Sequence, residues 1–351
     1  MKKLTITLVL ILGSSAILSQ KTMAYNVDIY AVGHLSVDSI DDGIDSSIHT
    51  TSSSSRLGLK GSYELSPKFS VFFQYESGID LTGQGENDGN GGSNSSGQFF
   101  TKTRPSFIGL SGNFGKVQIG HMPALDQWAN DYNLFADQVG DLGNLWEGSG
   151  VPGRMDNTIH YATPDFNGFN AALTLKPEED QEGSDNLIFK ANYTREGLKL
   201  GVAFASIGQG DLLDEHTVSA VILSYHFSRF SVGGGFQTEA DIGGIPGNDR
   251  DSITVGASMK VSDKGTIKAQ FAVSDGEFDE SEATQIAFGY DYAFDSQTTL
   301  YIAYAQMDND NNVNFSVNGK GHGDKIVPMI GHDPRAISLG IIQKFDFNLL
   351  K

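Results

Sequence analysis

The sequence predicts an all-β fold, a transmembrane antiparallel up-and-down β-barrel of about sixteen strands. Three observations carry this expectation. Hydrophobicity alternates with a period near two along most of the chain, the segments so marked are joined by short and long connections in turn, and after residue 24 no apolar run approaches the roughly 20 residues of a membrane helix. Glycine is abundant (42) and proline scarce (9), a mix that suits many strands joined by polar loops.

The N-terminus sets the compartment. Lys2 and Lys3 precede an apolar run at 4–18 and a small-residue site at Thr22-Met23-Ala24, the form of a secretory signal peptide, so residues 1–24 are set aside and 25–351 read as one domain. Removing them takes the formal charge from −19 to −22. So acidic a chain, with no basic patch to neutralise phosphates, excludes nucleic acid as a partner. There is no cysteine, so stability rests on burial and backbone pairing.

In order along the chain, Val27, Ile29, Ala31, Gly33, Leu35 and Val37 form one face of a first strand, with Asn26, Asp28, Tyr30, His34 and Ser36 on the other. Leu57, Leu59, Tyr63 and Leu65 oppose Arg56, Lys60, Ser62 and Glu64 in the second, and Phe69, Val71, Phe73 and Tyr75 oppose Ser70, Gln74 and Glu76 in the third. Further strands are expected near 99–111, 116–121, 156–163, 169–176, 187–195, 198–206, 217–227, 230–238, 252–262, 266–274, 283–294, 298–307 and 335–347. Long polar connections are expected at 38–54, 80–98, 122–155, 177–186, 207–216, 239–251, 275–282 and 308–334. Their alternation with short turns puts the long loops at one end of the barrel.

Charge placement favours lipid over water outside the barrel. Arg56, Lys60, Lys102, Arg104, Lys190, Lys199, Lys260 and Lys268 all fall on the polar face of their strands, where a midplane lipid contact costing about 2–4 kcal/mol is avoided. A soluble barrel of this size would have the reverse arrangement. Aromatics beside the short turns, including Phe227, Phe230, Tyr290, Tyr292, Phe294 and Phe345, read as an interfacial girdle.

One stretch breaks the pattern. Residues 122–153, bounded by Pro123 and Pro152, hold both tryptophans, Trp128 and Trp146, and the acids Asp126, Asp131, Asp137, Asp141 and Glu147 with no Lys or Arg before the final turn. A connection this long and this rich in aromatics and leucines is expected to fold back against the rest of the molecule.

Several segments resemble the Gram-negative general-diffusion porins of the outer membrane: SRLGLKG at 55–61, FFQYE at 72–76, KTR at 102–104, FIGLSGNFG at 107–115, GRMDN at 153–157, PDFNGF at 164–169 and ISLG at 337–340. The resemblance spans the mature chain and implies a sixteen-stranded barrel, usually a homotrimer, embedded in membrane lipid and lipopolysaccharide, whose third outer loop narrows the lumen. It implies a basic wall, here Arg56, Lys60, Lys102, Arg104 and Arg154, facing loop acids, here Asp137 and Asp141 with Asp131 and Glu147 as further candidates. His34 and His121 stand where the family often has Lys or Arg, which would weaken the ladder and make part of it titrate near neutrality. The family ends on an aromatic residue, whereas Asn348, Leu349, Leu350 and Lys351 follow Phe347 here.

The expected function is passive diffusion of small hydrophilic solutes and ions, with a mild preference for cations drawn from the loop acids and the acidic exterior. No cofactor, metal or catalytic residue is expected. Gly-Gly-Gly at 233–235 lies inside an alternating strand and opens no helix, Ser224 and His226 share a strand face without an acid at a defined spacing, and His322, Asp324, His332 and Asp333 are too loosely spaced for a metal site. The alternatives are an adhesive or structural barrel with a plugged lumen and, less favoured, an outer-membrane barrel enzyme.

Overall fold

The computed structural model describes residues 25–82, 104–123, 131–146, 153–178, 182–318, 321–323 and 327–349. Its strands are β1 (Tyr25–Asp41), β2 (Ser46–Ser52), β3 (Arg56–Ser66), β4 (Phe69–Gly78), β5 (Ser106–Gly112), β6 (Gly115–Pro123), β7 (Arg154–Ala162), β8 (Phe169–Lys176), β9 (Asn186–Arg195), β10 (Leu198–Ile207), β11 (His216–Phe227), β12 (Phe230–Ala240), β13 (Arg250–Lys260), β14 (Gly265–Gly276), β15 (Ala283–Ala293), β16 (Thr298–Asn309) and β17 (Arg335–Asn348). Each pairs antiparallel with its chain neighbour, and β17 pairs with β1 to close the sheet. Closure leaves no edge unpaired, which is what a sheet needs in lipid.

β2 and β3 are two parts of one strand. Both pair with β1, β2 alongside Leu35 to Asp41 and β3 alongside Tyr25 to Val32, so the described strands make a sixteen-stranded barrel. Between them residues 53–55 bulge opposite His34, whose backbone N–H donates to the Ser55 hydroxyl at 3.0 Å while Ser53 N donates to His34 O at 2.9 Å.

The expected long loop at 38–54 is thus a correction. β1 continues to Asp41, a tight turn follows in which Asp42 Oδ1 accepts the Ile44 and Asp45 amides at 2.9 and 2.8 Å, and β2 returns. The Ser/Thr-rich run has no apolar face to betray a strand, and it pairs with β1 through its backbone, with the Ser46 hydroxyl hydrogen-bonded to Asp41 and the Thr51 hydroxyl beside Asp38. Elsewhere the observed strand ends fall within a few residues of those expected, except that 99–103 lie outside the described residues.

The alternation has a direction. Ile253 and Val255 of β13, Phe271 of β14, Phe288 of β15 and Leu339 of β17 are exposed on the outer face, while Ser252, Thr254, Gln270, Ser274, Gln285 and Ser338 between them are buried inside. At the end of the short turns Tyr225, Phe227 and Phe230 stack in series, with ring centroids 5.6 and 5.5 Å apart. There Glu196 (φ 49°) and Gly197 (φ 87°) fill a two-residue turn whose twist needs positive φ at both positions.

Val255→Arg, on the outer face in mid-strand, should destabilise the barrel in lipid by about 2–4 kcal/mol, whereas Ser62→Arg on the inner face should change it by less than about 0.5 kcal/mol. Denaturant-induced unfolding from lipid vesicles measures both.

Candidate constriction site

Residues 131–146 fold back inside the barrel and lie on the inner wall formed by β12 to β16. Phe135 and Val139 are fully buried among Ala287, Ala303 and Ala305, and Leu142 and Leu145 among Ala272, Ala283 and Met307. Burying each of these four side chains is worth roughly 1.5–3 kcal/mol. The wall is shaped to receive them. A Cβ at Gly233 would stand 2.7 Å from the Tyr132 ring, one at Gly289 2.8 Å from the Phe135 ring, and one at Gly140 2.7 Å from the Ala287 methyl; Gly140 also has φ +83°.

Polar groups of the same wall hold the loop backbone. Gln270 accepts from Leu134 N at 3.1 Å and donates to Gly140 O at 2.5 Å, serving both sides of the loop with one amide. Lys268 donates to Gln138 at 3.0 Å, pairs with Asp291 at 2.9 Å and sits 4.5 Å from the Phe135 ring centroid. Gly140 N donates to Val317 O of the last long connection at 2.9 Å.

On the far wall, Arg56 Nε and Arg104 Nη1 lie 3.7 and 3.6 Å from the Glu76 carboxylate. The Tyr30 hydroxyl donates to Glu76 at 2.7 Å and accepts from Gln74 at 2.9 Å. Arg154 joins the group: the charges of Glu76, Asp137 and Arg56 act on it, and its own acts on Arg104. Asp137, at the tip of the loop (φ 61°), accepts the Ser54 hydroxyl at 2.8 Å, so the bulge at 53–55 ties the loop to the barrel mouth. Three guanidinium groups therefore share one region with the Glu76 and Asp137 carboxylates. Opposed charge in a narrow wet gap produces a transverse field that favours small polar solutes.

A family model described as Gram-negative porin matches residues 6–312. The chain belongs to the Gram-negative porin family. It is an outer-membrane channel protein of β-barrel form. Outer membrane porin protein 32 of Delftia acidovorans is 30% identical over 342 residues, covering 92% of this chain and 93% of that one. Among solved structures, an anion-selective porin from Comamonas acidovorans matches with TM-score 0.77 and 27% identity over 92% of this chain and all of that one. The trimer form of OmpT of Vibrio cholerae matches with TM-score 0.66 at 16% identity, a likeness of fold.

In this porin the loop acids are largely engaged. Asp131 pairs with Lys199 at 2.5 Å. Asp141 Oδ1 accepts Asn133 Nδ2 at 2.6 Å and Gly143 N at 2.7 Å, and its Oδ2 accepts Asp137 N at 2.6 Å, so it organises the loop from within. Asp126, Glu147 and Lys102 lie outside the described residues. Lys60 is on the inner wall one turn of the pleat below Arg56, its ammonium 5.2 Å from the Tyr30 ring centroid.

Other expectations are redirected. His34 is 2% exposed, its Nε2 2.8 Å from the Tyr301 hydroxyl, so it is packed into the wall behind the loops and is no rung of a wet ladder. His121 Nδ1 sits 2.8 Å from Asp156. The histidines of the last long connection diverge: His322 turns inward to Asp38 at 3.4 Å, while His332 faces Gly43 O at 3.3 Å. Sequence reading missed the seat itself, although Gly233, Gly256, Ala272, Ala287, Gly289 and Ala305 all stand at inward positions where a wet lumen would ordinarily take polar side chains.

Gly140→Ala forces a Cβ into Ala287 and strains a positive φ, and should loosen the loop by about 1–3 kcal/mol; the measured sign is larger, noisier single-channel current. Burial, reinforced by the Asp137 charge, pushes the Asp141 carboxyl up to about 6 against the pull of its three N–H donors. Because the folded value lies above that of a free carboxyl, Asp141 favours the docked loop most below about pH 4 and loses that contribution as pH rises through 6. Open-channel noise should therefore grow between pH 4 and 7 in the native porin and stay flat across that range in Asp141→Asn.

Proposed function

We propose that this porin passes small hydrophilic solutes and ions by passive diffusion and prefers anions. The observation that carries the reading is the charge balance of the constriction: Arg56, Arg104 and Arg154 cluster with the Glu76 and Asp137 carboxylates. The preference for cations expected from the loop acids is not supported. Asp131 and Asp141, on which it partly rested, are held by Lys199 and by loop N–H groups, and a related solved structure is an anion-selective porin. The acids of the outer loops lie farther from the path, and salt screens them over about 8–10 Å.

The same reading includes export through residues 1–24, a homotrimer in membrane lipid and lipopolysaccharide as the family resemblance implies, and no chemistry on the solute. Arg56, Lys60, Arg104 and Arg154, with Lys102, form its basic wall, and Asp137 its principal loop acid. A second reading, a plugged barrel whose loops act as an adhesive surface, draws on the burial of Ser316, Val317, Asn318 and His322 within the barrel mouth.

Planar-bilayer recording separates the two. An open porin gives stable steps, in threes for a trimer, and a reversal potential of the sign set by chloride under a KCl gradient. A properly inserted barrel that stays silent overturns the channel reading. One unit charge about 7 Å from a wet path is worth about 0.6 kcal/mol at the dielectric of water, with opposite sign for the two ions, so Arg154→Gln should lower the chloride-to-potassium permeability ratio about seven-fold at low salt and less as salt screens the charge.

A further inference from the structure

We propose that the lumen just inward of the arginine cluster holds a binding step for aromatic carboxylates, solutes that join a planar ring to one carboxylate. This deepens the anion-conducting reading and rests on it. The strand register sets the order of groups along the wall. Glu76 stands opposite Gly58, at the level of the arginines; Gln74 stands opposite both Lys60 and Phe107; Phe72 stands opposite Gly109. From Glu76 to Phe72 is four residues of strand, or about 13 Å.

Tyr30, Phe72 and Phe107 are all inward-facing, half-buried rings on this short stretch. Two of them pack over glycine: the far end of the Tyr30 ring lies over Gly58 and that of the Phe72 ring over Gly109, so closely that neither glycine has room for a Cβ. Phe107 meets Phe72 edge to face, with centroids 6.3 Å apart and planes at 76°. Each ring is half-buried, so part of its face is turned to the lumen. Apolar rings in a water-filled passage stay hydrated on that free face, and the outer surface of the same strands would shelter them in lipid. Their position therefore calls for a solute that covers them.

The neighbouring charges define that solute. Lys60 is exposed beside Gln74 and Tyr30, while Arg104, two residues before the strand that carries Phe107, is buried against Glu76. An incoming ring stacks offset on Phe107 or Phe72 while its carboxylate takes charge-assisted hydrogen bonds from the Lys60 ammonium and the Gln74 amide. An aliphatic anion gains only the charge contacts, and a neutral aromatic only the stacking.

The test is single-channel recording in KCl with benzoate, acetate or benzamide added at equal concentration. Benzoate should interrupt the current with dwell times about five-fold longer than either of the others. Phe107→Leu and Phe72→Leu keep apolar bulk but remove a ring, and each should bring the benzoate dwell down towards that of acetate; Phe271→Leu, on the lipid face, should leave it unchanged. Equal dwell times for benzoate and acetate in a channel that favours chloride overturn the subsite and leave the anion channel standing. A channel with no preference for chloride overturns the reading beneath it, and the subsite with it.

Discussion

Every backbone N–H and C=O that meets lipid must be paired within the protein, and the pairing of β17 with β1 is the contact that satisfies this for the whole sheet. It runs residue by residue from Asp28 opposite Asn348 to Asp41 opposite Arg335, so the last strand is committed along nearly its full length. Once the sheet is closed, strict alternation decides which side chains see lipid and which see the interior. Sixteen strands enclose more space than inward side chains can fill. The interior must then be wet, or occupied by chain from the loops, and this porin uses both solutions.

The inner wall is divided accordingly. From β12 to β16 its inward positions carry glycine and alanine beside Gln270 and Lys268, and the loop at 131–146 fills the space those small residues leave. From β1 to β5 the inward positions carry Arg56, Lys60, Gln74, Glu76 and three rings, with Lys60 exposed, Glu76 buried and the others half-buried. One half of the cylinder is a seat and the other half is a working surface. The bulge at 53–55 joins the two, since the Ser54 hydroxyl stands 2.8 Å from Asp137 Oδ1 and 3.0 Å from Gly321 O, within reach of either acceptor, and so brings two loops to one point.

Electrostatics follows from the same division. Acids used to hold the loop in place contribute little to the path of a solute, because their charge is matched by nearby donors: Asp141 by three N–H groups, Asp131 by Lys199. Buried pairs such as His216 with Glu239 at 3.0 Å and His322 with Asp38 at 3.4 Å serve packing at the mouth in the same way. Such pairs add little net stability, yet removing one partner leaves a buried charge exposed to no solvent, which fixes the arrangement of the loops.

Alternation with period two, the length of the segments, the placement of lysine and arginine on one face and the short-long rhythm of the connections were enough by themselves to determine a membrane barrel of about sixteen strands, while length, aromatics and leucines set residues 122–153 apart and the family resemblance implied that they turn inward. These are local properties, repeated along the chain, and lipid enforces them at every strand. What only the tertiary structure decided is what each inward residue meets. Asp137, Asp141 and Asp131 look alike in sequence, and His34 looks like a rung of the ladder, until the fold brings Ser54, the loop amides, Lys199 and Tyr301 against them. Ser54, Lys199 and Tyr301 lie far away in the chain, at positions set by the closure of the sheet, and the nearby loop amides converge on Asp141 only once the loop is folded, so no periodicity near the residue itself carries the information.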